Sequence, residues 1–169
     1  MISAGIFHED EHLELLSGLI VKMTPQGVPH ALIIERLTEF LFRSRGEGDR
    51  VRVQLPLTLG DDSEPEPDLA VVTGATSISD EGHPTSAVLV LEAGSESLAY
   101  DRTVKGALYA RAGIPEYWVV NVAEECVEVY RGPDAEAGRY RSTATFGRGE
   151  RVTSTVLPRF SVPVDELFA

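Results

Sequence analysis

Residues 88–97, VLVLEAGSES, and residues 101–121, DRTVKGALYARAGIPEYWVVN, decide the fold. Residues 87–92 are rich in leucine and valine with no polar alternation, the pattern of a strand covered on both faces, and Gly94 and Ser95 end the run. In residues 100–112, Val104, Ala107, Leu108 and Arg111 recur at helical spacing. Asp101 is expected to cap the N-terminus of that helix and Gly113 to stop it. Residues 116–122, EYWVVNV, are aromatic and β-branched, and read as a second buried strand. A buried strand, a crossover helix and another buried strand make an α/β sheet the expected framework.

Working toward the N-terminus, residues 68–72, DLAVV, form a short apolar strand that opens on a charge. The acidic residues 61–67 before it contain two prolines and read as a turn or loop. In residues 51–59, Val51, Val53, Leu55, Leu57 and Leu59 alternate with polar residues, which predicts one strand with all five on a single face. Gln54 stands on its polar face with Arg52 and Thr58. Ile33, Ile34, Leu37 and Leu41 predict a helix over residues 30–43, starting after Pro29 and ending near Gly46 and Gly48. Residues 11–23 hold two apolar patches around Ser17-Gly18, the signature of a small hairpin, and residues 24–27, TPQG, break the chain after it. Residues 77–85 read as a surface loop.

Toward the C-terminus, residues 127–130, 140–146 and 151–156 read as antiparallel strands, with one helical turn over 164–168. The expected architecture is therefore a mixed β-sheet flanked by helices, with an N-terminal hairpin and extra antiparallel strands at the C-terminus. With 169 residues, 43% of them hydrophobic, one domain over 1–169 is expected. There are no internal repeats.

Composition limits the function classes. The formal net charge of -12, from 27 acidic and 15 basic residues, is unlike the basic footprint of most nucleic-acid binders. It leaves room for a nuclease, whose metal site is itself locally acidic. Cys126 is the only cysteine, so no internal disulfide forms and a reducing cytoplasm is expected. No apolar run approaches the roughly 20 residues of a membrane span.

Asp68 opens one strand and Glu92 closes another, so both carboxylates can converge at strand ends. Two carboxylates suit Mg²⁺, which takes one or two such ligands plus water and phosphate oxygens. Among 27 acidic residues, either is equally at home as a solvated strand-end charge. Lys105 sits four residues after Asp101 and can reach back toward this site, where an ammonium would stabilise developing phosphorane charge. The plainer alternative is a surface ion pair with Asp101. Ser95 and Ser97 belong to no Ser, His and Asp arrangement, and Tyr109, Tyr117 and Trp118 read as core aromatics.

These segments, taken in order, resemble the bacterial Uma family of restriction-endonuclease-like proteins, within the PD-(D/E)XK nuclease superfamily. The likeness rests on EPEPDLAVV at 64–72, VLVLEAGSES at 88–97 and DRTVKGALYARAGIPEYWVVN at 101–121, and extends to LELLSGLIVKMTPQGVPH at 13–30 and VRVQLPLTL at 51–59. It implies a restriction-endonuclease-like core with Asp68 and Glu92 as metal ligands and Lys105 as catalytic lysine. The superfamily places lysine two positions after the glutamate, but here that position is Gly94, so the resemblance implies a lysine supplied by the following helix. It also puts Gln54 near the metal, where the residue's simpler role is a cross-strand hydrogen bond. Glu35 would be a third carboxylate or a solvent-facing helix residue. His30 matches a family histidine, which leaves a substrate or structural role beside a local hydrogen bond at the start of its helix.

The function expected is hydrolysis of DNA phosphodiester bonds by a Mg²⁺-dependent endonuclease, with Mn²⁺ able to substitute. The alternative is a catalytically silent member acting as a binding or dimerisation module. A homodimer is expected, with the apolar residues 156–168 as part of its interface. A non-nuclease hydrolase using the same two carboxylates is a third possibility.

Overall fold

The computed structural model describes residues 13–23, 27–74, 82–95 and 97–169. All but Gly27 of the chain break expected at 24–27, and most of the loop expected at 77–85, lie outside them. A hairpin comes first, with strands β1 (Leu13–Leu16) and β2 (Leu19–Lys22) turning at Ser17-Gly18, where both residues take positive φ. Helix α1 (Val28–Ser44) follows. It begins two residues earlier than expected because Pro29 sits in the first turn, where its missing N–H leaves no hydrogen bond unmade.

The centre is a six-stranded mixed sheet in the order β3-β4-β5-β6-β7-β8. Its strands are β3 (Asp49–Val53), β4 (Leu69–Thr73), β5 (Leu89–Gly94), β6 (Glu116–Asn121), β7 (Cys126–Asp134) and β8 (Arg139–Phe146). Only β5 and β6 run parallel; every other neighbouring pair is antiparallel. Parallel neighbours need a crossover, and here it is helical: α2 (Leu98–Tyr100), a π-turn (Asp101–Lys105) and α3 (Gly106–Arg111). β9 (Arg151–Thr153) pairs with β10 (Ser161–Pro163), and α4 (Val164–Leu167) is the expected single turn. This is the restriction-endonuclease-like arrangement expected from the sequence. Among the described residues no helix is long and apolar enough to cross a membrane.

Strand alternation sorts the core onto two faces. Leu69, Val71, Leu89, Leu91, Trp118 and Val120 face α1 and the C-terminal segment. Ala70, Val72, Val90, Tyr117 and Val119 face the crossover and the hairpin. By the same parity Glu92, two residues after Val90, points toward the crossover helix, and that places it for chemistry.

Two expectations need correction. Residues 51–59 are not one strand: β3 ends at Val53, and Gln54 takes a φ of 50°. The reversal sends Val51 and Val53 to one core face and Leu57 and Leu59 to the other, and leaves Leu55 exposed. Pro56, which has no N–H for a ladder, helps end the pairing, and the buried Arg52 donates to its carbonyl at 2.9 Å. Asp101 is not an N-cap; the crossover begins at Leu98, and Asp101 lies inside it, buried. Leu157, Phe160, Val162, Val164 and Leu167 are buried in this chain's own core, with Phe160 stacked on Trp118 at 4.9 Å. Most of the apolar stretch 156–168 is thus packed within the chain itself.

Candidate active site

Asp68 precedes β4, and Glu92 lies on β5, the neighbouring strand. The two meet where the strands adjoin: the Asp68 amide approaches Oε2 of Glu92 at 3.4 Å, and the Ala93 amide donates to Oδ2 of Asp68 at 2.9 Å. Lys105, on the π-turn, donates to Oε1 of Glu92 at 3.0 Å, so it turns inward rather than forming a surface pair with Asp101. The structure therefore brings all three principal candidates together, and all are buried.

His30 joins them from the first turn of α1, with Nε2 2.9 Å from Oδ2 of Asp68, a contact to a residue distant in sequence rather than a local one. Glu35 and Gln54 stand on another surface. Both line an open groove between α1 and the end of β3, with Ala31, Ile34, Thr38 and Val53. Glu35 is exposed there, while the Gln54 amide donates to the Asp68 carbonyl at 3.0 Å and so ties the end of β3 to the site.

Three further residues complete the cluster. Glu14, on β1, places Oε1 3.1 Å from Nζ of Lys105 and accepts the Glu66 amide at 2.8 Å. It shares the inward face of its strand with Leu16, and a strand of four residues gives the sequence no means of marking that face. Tyr109 donates its hydroxyl to Oε1 of Glu92 at 2.7 Å, so this core aromatic also touches the site. Asp101 accepts from the Ser97 hydroxyl at 2.7 Å. A Cβ at Gly94 would stand 2.2 Å from that same hydroxyl oxygen. A side chain two residues after Glu92 would have to turn the Ser97 hydroxyl away from Asp101.

The electrostatics follow from four carboxyl groups, Glu14, Asp68, Glu92 and Asp101, gathered around one lysine. Burial pushes Glu92 up to about 8, and the repulsion of Asp68, Asp101 and Glu14 works against the relief that Lys105 gives. Burial also raises Asp101, in spite of Ser97 and Lys105. Burial alone would lower Lys105, but the attraction of Glu92 and Glu14 outweighs it and holds the ammonium charged. For His30 burial is likewise outweighed, by its hydrogen bond to Asp68, and its pKa lies above the usual value.

Among the described residues no three His, Cys, Asp or Glu side chains form a ready-made metal cage. Mg²⁺ does not require one, since it keeps several waters and takes one or two carboxylates. Two neighbouring carboxyl groups, Asp68 and Glu92, fit such an ion in donor chemistry.

A family model named Uma2, described as "Putative restriction endonuclease", matches residues 2–165. Among solved structures, the chain is similar to a crystal structure described as a putative nuclease belonging to DUF820 from Anabaena variabilis ATCC 29413, with a TM-score of 0.72 and 19% identity over 98% of this chain and 94% of that one. At that identity the likeness carries the fold alone. No curated protein matches the chain significantly.

Proposed function

The chain belongs to the Uma2 family, and from that premise we propose that it is a Mg²⁺-dependent endonuclease that hydrolyses DNA phosphodiester bonds at Asp68, Glu92 and Lys105. The observation that carries this reading is the contact of Lys105 Nζ with Glu92 Oε1 at 3.0 Å, beside Asp68. An ammonium next to two strand-end carboxylates is what in-line attack on a phosphodiester requires of a protein: anchors for a hard cation and a fixed positive charge for the transition state.

Asp68 and Glu92 would hold the ion, and Mn²⁺ can replace it; when bound, it polarises the phosphoryl oxygen and lowers the pKa of the attacking water. The chain's own residues orient the rest. The Ala93 amide and His30 fix Oδ2 of Asp68, while Lys105 and Tyr109 fix Oε1 of Glu92. Lys105 then offers charge to the phosphorane as the water oxygen bonds to phosphorus and the opposite P–O bond breaks. The products are a phosphate monoester and a free hydroxyl, with no covalent enzyme intermediate.

Calorimetric titration with Mg²⁺ and Mn²⁺, paired with plasmid cleavage, tests the reading. Wild type should bind the ion and cut, Asp68→Ala should do neither, and Lys105→Ala should not cut. A wild-type protein that neither binds metal nor cleaves would instead be a binding or dimerisation module built on the same fold.

A further inference from the structure

The crossover between β5 and β6 is irregular at one place, and the irregularity lies at Lys105. In the π-turn Asp101–Lys105 the Gly106 amide, shared with the carbonyl of Thr103, donates to the carbonyl of Asp101, five residues back, where a regular α-helix would use the Lys105 amide. Such a turn persists only where something holds it, and two features do. Tyr117, fully buried on β6, donates its hydroxyl to the same Asp101 carbonyl at 3.1 Å. Gly106 leaves room for that carbonyl, since a Cβ there would stand 3.3 Å from the oxygen.

The wide turn has a geometric result. In an uninterrupted α-helix, residues eight apart such as Asp101 and Tyr109 are turned about 80° from each other. Widening one turn takes up that drift, so Asp101, Lys105 and Tyr109 are all buried toward the sheet, and the last two reach one oxygen of Glu92. We infer that Tyr117 is a positioning residue: its hydroxyl pins the Asp101 carbonyl in the five-residue register that turns the Lys105 ammonium onto Glu92. The catalytic consequence rests on the nuclease reading, whereas the placement of Lys105 does not.

The test uses Tyr117→Phe, which keeps the ring and its packing on Tyr109 at 5.0 Å, and Gly106→Ala, which presses on the same carbonyl with the tyrosine intact. The chain has only two lysines, Lys22 and Lys105, so lysine labelled with ¹³C at Cε gives two side-chain signals, and Lys22 serves as the internal reference. In both variants the Lys105 signal should move while that of Lys22 stays. In plasmid cleavage with Mg²⁺, kcat should fall about tenfold or more with KM unchanged. A Lys105 signal that stays in place in a folded Tyr117→Phe protein overturns the inference, whatever happens to kcat. If Tyr117→Phe fails to fold, an unmoved signal in Gly106→Ala overturns it instead. A moved signal in a protein whose wild type never cleaves supports the positioning role and removes only the nuclease reading.

Discussion

Glu14 and Lys105 come from distant parts of the chain, yet their head groups lie 3.1 Å apart and both side chains are buried. The contact fastens the N-terminal hairpin to the crossover helix. Removing Glu14 does not strand the lysine, which keeps Glu92, but it leaves the Glu66 amide without its side-chain acceptor. Glu14→Ala should therefore destabilise the fold by about 1.5–3 kcal/mol, the scale of a hydrogen bond to a charged group. Glu14→Gln, which retains an acceptor oxygen, should cost less. Urea unfolding midpoints at constant m-value check the order, and equal losses for the two variants would show that the Glu66 amide is not what Glu14 serves.

Lys105 is the opposite case, because its loss leaves Glu14, Glu92 and Asp101 facing each other with their nearest cation gone. Lys105→Met is expected to cost roughly 3–5 kcal/mol, as when one member of a buried pair is deleted. Adding Glu92→Gln should recover part of the loss, since burial already raises Glu92 to about 8 and without its cation the carboxyl must take up a proton to stay buried, which the amide need not do. A double-mutant cycle by denaturant unfolding measures the coupling. Additive losses would mean that the pair does not interact in solution as it does here.

Gly94 is crowded by the Ser97 hydroxyl and has no need of an unusual backbone conformation. The 2.2 Å approach of a Cβ to the Ser97 hydroxyl predicts that Gly94→Ala destabilises by about 1–3 kcal/mol through overpacking. It should also disturb the Ser97 bond to Asp101. Replacing Ser97 with glycine in the Gly94→Ala background should restore stability toward that of Ser97→Gly alone. Thermal unfolding of the four proteins reads this directly, and a harmless Gly94→Ala would show that the Ser97 hydroxyl yields its place without cost.

The sheet was legible because its central strands carry unbroken apolar runs and its crossover helix a clear period, as in residues 88–92 and 104–111. The pairing of Asp68, Glu92 and Lys105 was legible from strand ends and the family resemblance together. What local pattern hides is tertiary. Alternation in residues 51–59 continues past Gln54 as though nothing happens, because a positive φ at a single glutamine leaves no mark on polarity. Asp101 has the composition of a cap, but the turn that contains it is set by Tyr117 on another element. Glu14 sits in a two-strand hairpin too short for periodicity to distinguish an inward acid from an outward one.

Glu116 gives a pH prediction away from the site. It is fully buried on β6, where its carboxylate accepts from Trp118 Nε1 at 2.7 Å, Arg131 Nε at 2.9 Å and the Thr155 amide at 3.0 Å. Burial alone would raise its pKa, but the hydrogen bonds from Thr155, Arg131 and Trp118 bring it below the ordinary 4.5. A carboxyl depressed on folding stabilises fully above its unfolded pKa and loses that contribution as pH falls through the lower folded value. Glu116→Gln should thus cost about 1.5–3 kcal/mol at neutral pH, the scale of hydrogen bonds to a charged group. The gap between wild type and variant should stay constant down to about pH 5 and close below it, as the wild type takes up its proton. Urea unfolding from pH 7 to pH 3 measures both curves, and a gap that persists unchanged at pH 3 would mean that the charge on Glu116 contributes nothing.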